Sequence, residues 1–159
     1  MRRPQSLRRN YLYAVGLAAA LVLVDFVTKR WAEREFADGG IQIIGDFFGF
    51  TFVENPGGAF STFPGGGRVI AIAAIVITIA VIWVIRTART NLELVIYALV
   101  LTGAVGNLID RFTRGPGIID GPVIDWIILW RIPTFNVADM AITFAVVLLL
   151  VQAWMTKSS

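Results

Sequence analysis

Residues 92–111 read LELVIYALVLTGAVGNLIDR. From Leu92 to Ile109 the run carries a single charge, Glu93 near its start, and it then ends in a polar cluster, Asn107, Asp110 and Arg111. At about 1.5 Å per residue, 92–109 makes roughly 27 Å of helix, the short end of what a hydrocarbon core of about 30 Å requires. Three further runs, 11–28, 69–85 and 137–154, share that length and character. Unpaired backbone polar groups are costly in hydrocarbon, so the spanning form here is the helix, and spans this short are expected nearly upright.

Composition points the same way. Hydrophobic residues make up 57% of the 159-residue chain and charged residues 16%, against about 45–50% and about 25% in soluble domains. Mean hydropathy is +0.73. A chain of this size has too few interior positions to hide so much apolar surface from water. The expected fold class is therefore an all-α membrane protein. Four transmembrane helices are joined by a small extracytoplasmic β-rich segment, in a single integral membrane domain over 1–159 whose outer segments are 29–68 and 110–136.

The chain holds no Cys and no His. That excludes disulfides, thiol nucleophiles, imidazole-based catalysis and ordinary zinc sites. Acid–base work near neutral pH falls to carboxylates, lysine or tyrosine. The net charge of +3 has no basic aromatic module with it, so the cations read as membrane-flanking residues and no nucleic-acid partner is expected. Membrane lipids are.

The fourteen basic residues divide evenly between the two sides. Arg2, Arg3, Arg8 and Arg9 before the first span, with Arg86 and Arg89 in the short loop 86–91, decide the orientation, because short flanks and the first helix dominate. Both termini are expected in the cytoplasm. Of the acidic residues only Glu93 then lies inside, and the other ten gather at or beyond the outer helix ends. The five tryptophans fall near span ends or in outer loops, as an aromatic belt places them.

The N-terminal charges and the run to Val24 imitate a secretory signal, but no small-residue cleavage site follows, so the segment is expected to stay as an anchor. Beyond it, KRWAEREFADGG reads as a short interfacial helix, and IQIIGDFFGFTFV as strand with Phe48, Phe50 and Phe52 on one parity, resting at the membrane surface. PGGG at 64–67 reads as a turn into the second span. Nothing matches a phosphate loop and no internal repeat is present.

Aspartate at the centre of a membrane helix costs about 2.5–3.5 kcal/mol on insertion scales, yet aspartates recur at the outer end of three spans. Asp25 is followed by Lys29 on the same helical face. Asn107, Asp110 and Arg111 share a face, and Asn136 precedes Asp139 by three. Asp125 lies in the outer loop of PVIDWI. Singly each has an ordinary explanation: a snorkelling pair, a pairing of Asp110 with Arg111 or Arg114, an N-cap at Asn136, a helix-dipole partner at Asp139, a turn at VENPGGAF. Jointly, separate segments bring carboxylates and carboxamides to one depth. Two carboxylates held close share a proton, one serving as acid and the other as base toward a water that attacks a peptide carbonyl. Asn55 or Asn136 is placed to donate to the oxyanion, and Arg111 to hold a headgroup or carbonyl. No metal and no cofactor is called for. Which two aspartates pair is not decided by these patterns.

Asp25 and Lys29, Asn-x-Gly-x-Ala-Phe at 55–60, GNLIDR at 106–111, PVIDWI and FNVAD at 135–139 together resemble the bacterial lipoprotein signal peptidases, in order and in spacing. The resemblance implies a membrane aspartic endopeptidase that cleaves prolipoproteins on the amino side of a diacylglyceryl-modified cysteine and is inhibited by globomycin-like compounds. It implies Asp125 and Asp139 as the catalytic dyad, with Asp25, Lys29, Asn55, Gly57, Asn107, Asp110, Arg111 and Asn136 supporting the site and substrate. It also implies a bacterial inner-membrane location with the site at the outer face. Gly58 stands where the family often has Ala, and Ser61 where it often has Gly. A second candidate, Asp120, precedes Asp125 by five; the apolar WII that follows favours Asp125.

A proton-coupled transporter or small channel is the alternative, since intramembrane carboxylates also mark ion pathways, but such sites favour the midplane and repeat symmetry. A non-catalytic scaffold leaves Asp125 unexplained. Calcium or magnesium lacks any EF-hand-like spacing.

Overall fold

The computed structural model describes residues 5–57 and 66–157. Its helices are α1 (Gln5–Glu35), α2 (Gly66–Val84), α3 (Asn91–Thr113) and α4 (Val137–Lys157), and all four contain stretches long and apolar enough to cross a membrane. Strands β1 (Ile41–Ile44), β2 (Phe48–Asn55), β3 (Val123–Leu129) and β4 (Ile132–Phe135) form one antiparallel sheet in the order β1-β2-β3-β4.

The helices overrun the apolar runs. α1 has 31 residues, roughly 47 Å of helix at 1.5 Å each, well beyond the run 11–28. KRWAERE is no separate interfacial helix but the outer end of α1. The reason lies in its buried stripe: Ala14, Ala18, Asp25, Lys29, Ala32 and Phe36 recur at intervals of three, four or seven and stay covered from the membrane to the sheet. α3 likewise continues past Ile109 to Thr113 and α4 to Lys157. The segments 29–68 and 110–136 thereby give up 29–35 and 110–113 to helix. Gly66 and Gly67 open α2 rather than belonging to a turn. The rest of that turn, like Gly58 and Ser61, lies outside the described residues.

α3 is the central post. It packs against α4, α1 and α2, whereas α2 rests on α3 and makes no comparable contact with α1 or α4. Gly103 allows the α3–α4 approach, since a methyl there would collide with Ile142 and with the Ala138 carbonyl. Thr90 caps α3, accepting from the Glu93 N–H while Glu93 reaches back to the Thr90 N–H; such a reciprocal cap contributes about 1 kcal/mol.

Two apolar clusters sit at different heights. The inner one joins Ala14, Ala18, Ile85, Ala88, Leu94 and Ala98. The outer one joins Ala32, Phe36, Trp126 and Ile127, with Phe48, Phe50 and Phe52 packed against it from β2. Trp31 meets Phe36, Phe50 and Trp126 edge-on at 4.9, 5.5 and 5.5 Å, the arrangement aromatic quadrupoles favour. Along α1 the polar residues Asp25 and Lys29 fall between these clusters.

The segment around Asp125 is strand, not loop. β3 pairs with β2 on one side and β4 on the other, and Val123 to Ile127 are all buried. With both faces covered there is no polar alternation to reveal the strand.

Candidate active site

Asp25 and Lys29 lie one turn apart on α1, and both are buried. Lys29 Nζ has three oxygens around it: Asp25 Oδ2 at 2.7 Å, Asp110 Oδ2 at 2.8 Å and Asn107 Oδ1 at 3.0 Å. An ammonium has three N–H bonds and no lone pair. Asp25 Oδ2 is held by charge, off the line of a good hydrogen bond, while its Oδ1 accepts from the Ala138 N–H at 2.8 Å in the first turn of α4. Gly106 makes room for it, since a methyl carbon there would come within 2.7 Å of Asp25 Oδ2.

Asp110 pairs with Lys29 and with Arg114 Nε, at 2.6 Å, not with Arg111. It also accepts from the Ile124 N–H at 3.3 Å, and Arg114 continues to Glu33 at 3.0 Å. The ion cluster thus fastens α1, α3, α4 and β3 at one level. Removing one member of such a buried set typically costs about 3–5 kcal/mol, because its partner is left charged and alone.

Asn136 caps α4. Its Oδ1 accepts from the Asp139 N–H at 2.9 Å, and its own N–H donates to Asp139 Oδ2 at 3.3 Å. Its Nδ2 reaches Asp125 Oδ1 at 2.6 Å, Ile124 O at 3.2 Å and Asn107 Oδ1 at 3.3 Å. From the end of β2, Asn55 Nδ2 donates to Asp125 Oδ2 at 2.8 Å while its Oδ1 accepts from the Gly57 N–H at 3.0 Å. Asn107 Nδ2 donates to Asp139 Oδ1 at 2.9 Å. Each amide is fixed by a partner that can only donate or only accept: the Lys29 ammonium for Asn107, the Asp139 N–H for Asn136, the Gly57 N–H for Asn55.

Asp125 and Asp139 line one cavity of about 170 Å³, together with Asn55, Asn107, Arg111, Val123 and the α2 residues Ile70, Ala71 and Ala74. Val123 and Asp125, two apart on β3, share its wall as strand alternation requires. Burial pushes the Asp125 carboxyl up to about 6; the Asn55 hydrogen bond opposes this, the Asp139 charge adds to it, and Asn136 and Lys29 oppose it. Around the cavity the cations Lys29, Arg111 and Arg114 are matched by Asp25, Asp110 and Glu33 among the described residues. Two carboxyls facing one small cavity do not both ionise cheaply, and a carboxyl–carboxylate pair sharing one proton is suited to activating water.

The remaining candidates fall nearby. Arg111 turns Nη1 to Pro56 O at 3.0 Å and Gly121 O at 2.8 Å, so it binds this chain's own carbonyls and positions the turn after Asn55. Gly57 packs against the start of α2, where a side chain would meet the Gly67 backbone. Asp120 is not among the cavity residues. It pairs with Arg68 at 2.8 Å and accepts from the Gly117 N–H at 3.2 Å, and the Arg68 hydrogen bond holds it below the usual carboxylate range. Spacing alone offers Arg114 as an i,i+4 partner for Asp110, but nothing local marks Glu33: its cross-helix pairing with Arg114 exists only because α1 runs on to Glu35. No cluster of three or more His, Cys, Asp or Glu side chains arranged for a metal ion occurs among the described residues.

A family model described as signal peptidase (SPase) II matches residues 17–155. The lipoprotein signal peptidase of Rhodococcus jostii (strain RHA1) is 37% identical over 145 residues, 91% of this chain and 72% of that protein. That of Caldicellulosiruptor bescii is 36% identical over 138 residues, 87% of each. A solved bacterial membrane enzyme superimposes with a TM-score of 0.74 at 26% identity, over 92% of this chain and 90% of that one.

Proposed function

Because this chain belongs to the signal peptidase II family, we propose that the carboxyl pair Asp125 and Asp139 is its catalytic dyad. The protein is a multi-pass bacterial membrane peptidase of the aspartic type that removes signal peptides from prolipoproteins. The transporter reading is not favoured.

In the proposed mechanism the ionised partner takes a proton from a water held in the cavity, and the water oxygen bonds to the scissile carbonyl carbon. The protonated partner gives its proton to the carbonyl oxygen. Collapse of the tetrahedral adduct breaks the C–N bond, and a proton passes to the departing amine of the lipid-modified cysteine, leaving a carboxyl end on the signal peptide. Asn55, Asn107 and Asn136 hold the two carboxyls in place. Arg111 and Gly57 shape the turn beside them, and the Asp25–Lys29–Asp110 cluster locks the helices behind them.

Four crossings put both termini on one side, and the arginine-rich N-terminal flank with loop 86–91 assigns that side to the cytoplasm. The dyad then lies at the outer face of the inner membrane, where a lipid-anchored substrate presents peptide and acyl chains together. A globomycin-like inhibitor is assigned to the same cavity.

The observation that carries the reading is that two aspartates from distant segments, β3 and α4, line one small cavity tied together through Asn136 and Asn107. Purified protein is incubated with a lipid-modified precursor, wild type beside Asp125→Asn and Asp139→Asn. Each variant is expected to fold and to lose cleavage by at least a thousandfold. Wild-type-like turnover in either removes the dyad.

A further inference from the structure

Lys29 is buried, with 1% of its side chain exposed, and lies one residue removed from the dyad: Asn107 stands between them. The polarity of that chain is fixed at its source. An ammonium can only donate, so the Asn107 atom at 3.0 Å from Lys29 Nζ is the carbonyl oxygen, and the amide N–H on the other end must face Asp139 Oδ1, 2.9 Å away. A hydrogen bond accepted by a charged donor's neighbour is strengthened along the chain. The other oxygen of Asp139 accepts from the Asn136 N–H, and Asp139 occupies the first turn of α4, where the helix dipole favours negative charge.

The two carboxyls are therefore not equivalent. Asp125 has two amide donors, from Asn55 and Asn136, but sits on a strand with no helix terminus behind it. The charged groups about Asp139 are Lys29 and Asp25 from α1, Asp110 and Arg111 from α3, and Asp125 from β3. Asp25 and Asp110 are each within 2.8 Å of Lys29, and Arg111, which also lines the cavity, gives Nη1 to the Pro56 and Gly121 carbonyls. Building on the dyad proposed above, we propose that Lys29 is a positioning residue that acts through Asn107 to keep Asp139 the negatively charged partner, making Asp139 the general base and Asp125 the general acid.

A merely structural lysine would lower turnover without changing its dependence on pH. A polarising one sets the acidic limb of the kcat/KM profile, where the base becomes protonated; the limbs belong to the pair as a whole. The profile is measured with full-length protein in detergent micelles and a lipid-modified precursor peptide, for two changes. Asn107→Ala breaks the relay and leaves the Lys29 ion pairs intact. The double change Asp25→Asn with Lys29→Met removes the ammonium, neutralises one of its two carboxylates and leaves the other, Asp110, paired with Arg114, and thermal unfolding of both proteins verifies the fold.

Each change is expected to move the acidic limb up by roughly one pH unit, a tenfold loss of rate at a fixed pH on that limb, with the alkaline limb in place. Combining them is expected to add no further shift, since they interrupt one chain. Acidic limbs that stay at the wild-type pH in both folded variants overturn the role of Lys29. That outcome is separate from failure of the dyad itself, which shows as turnover retained by Asp125→Asn or Asp139→Asn.

Discussion

Gly106→Ala tests the packing beneath the site. A methyl carbon on Gly106 would lie 2.7 Å from Asp25 Oδ2, 3.0 Å from Ala138 Cβ and 3.3 Å from Asp25 Cγ. Relieving a carbon–oxygen contact of that length requires a displacement of roughly half an ångström, and overpacking of this kind costs about 1–3 kcal/mol. Against it stands the better helix propensity of alanine, about 1 kcal/mol, so the net destabilisation is expected at about 0–2 kcal/mol. Activity should suffer more. Asp25 moves on its bonds to Lys29 and to the Ala138 N–H, and Ala138 is next to Asp139, where an error of about 1 Å costs on the order of a hundredfold. A tenfold or greater loss of kcat is expected. Gly16→Ala is the control, because α1 offers nothing within 4 Å of a methyl there: it should be neutral or slightly stabilising and fully active. Unfolding in mixed micelles and cleavage of a lipid-modified precursor supply both readouts. Equal behaviour of the two variants would refute the argument.

Three more outcomes follow from the same geometry. The Asp125 carboxyl is pushed up to about 6 in the folded protein against about 3.9 when unfolded, so there the folded state binds more protons between those values; the contribution of this group to stability is fully present below about pH 4, declines by up to about 3 kcal/mol as pH rises through 6, and is level above. Asp125→Asn should flatten that slope in unfolding measurements across pH 4–8. Asp120→Asn should leave cleavage within twofold of wild type, because its partner Arg68 and its place outside the cavity separate it from the dyad; a loss matching that of Asp125→Asn would reassign the acid pair. Thr90→Ala should cost about 1 kcal/mol through the lost α3 cap with unchanged kcat, as read by thermal unfolding beside a cleavage assay.

The helices were legible in the sequence because lipid as a solvent writes long apolar runs, and 92–109 shows this in one glance. Their true ends were not. Hydropathy stops α1 at Thr28, where charge begins, yet the stripe Asp25, Lys29, Ala32, Phe36 continues on one face; its seven-residue spacing was present in the letters but is carried by small and charged residues that a hydropathy reading discounts. β3 was hidden for a different reason, since a strand buried on both faces shows no alternation, and it was read as loop. The polar residues stood out as anomalies in apolar surroundings, and Asn136 could be read as a cap from local spacing alone. Their connections could not: Lys29 meets Asn107 across 78 positions and Asn107 meets Asp139 across 32, distances that no local pattern encodes. Arg111 likewise stands out in the sequence, but its bonds to the Pro56 and Gly121 carbonyls cross 55 and 10 positions that no local pattern encodes.

The lopsided seat of α2 has a physical outcome in living membranes. Its 19 residues make roughly 28 Å of helix, close to the hydrocarbon thickness, and among the described helices α3 is the one it leans on along its length. Between lipid-bathed helices the hydrophobic effect contributes little adhesion, so van der Waals packing on α3 and the Arg68–Asp120 pair at its start set the angle at which α2 stands. Longer or shorter fatty acids in the surrounding leaflet therefore tip α2 before they disturb the braced remainder. Ile70, Ala71 and Ala74 travel with it, and these are the residues by which α2 walls the dyad cavity.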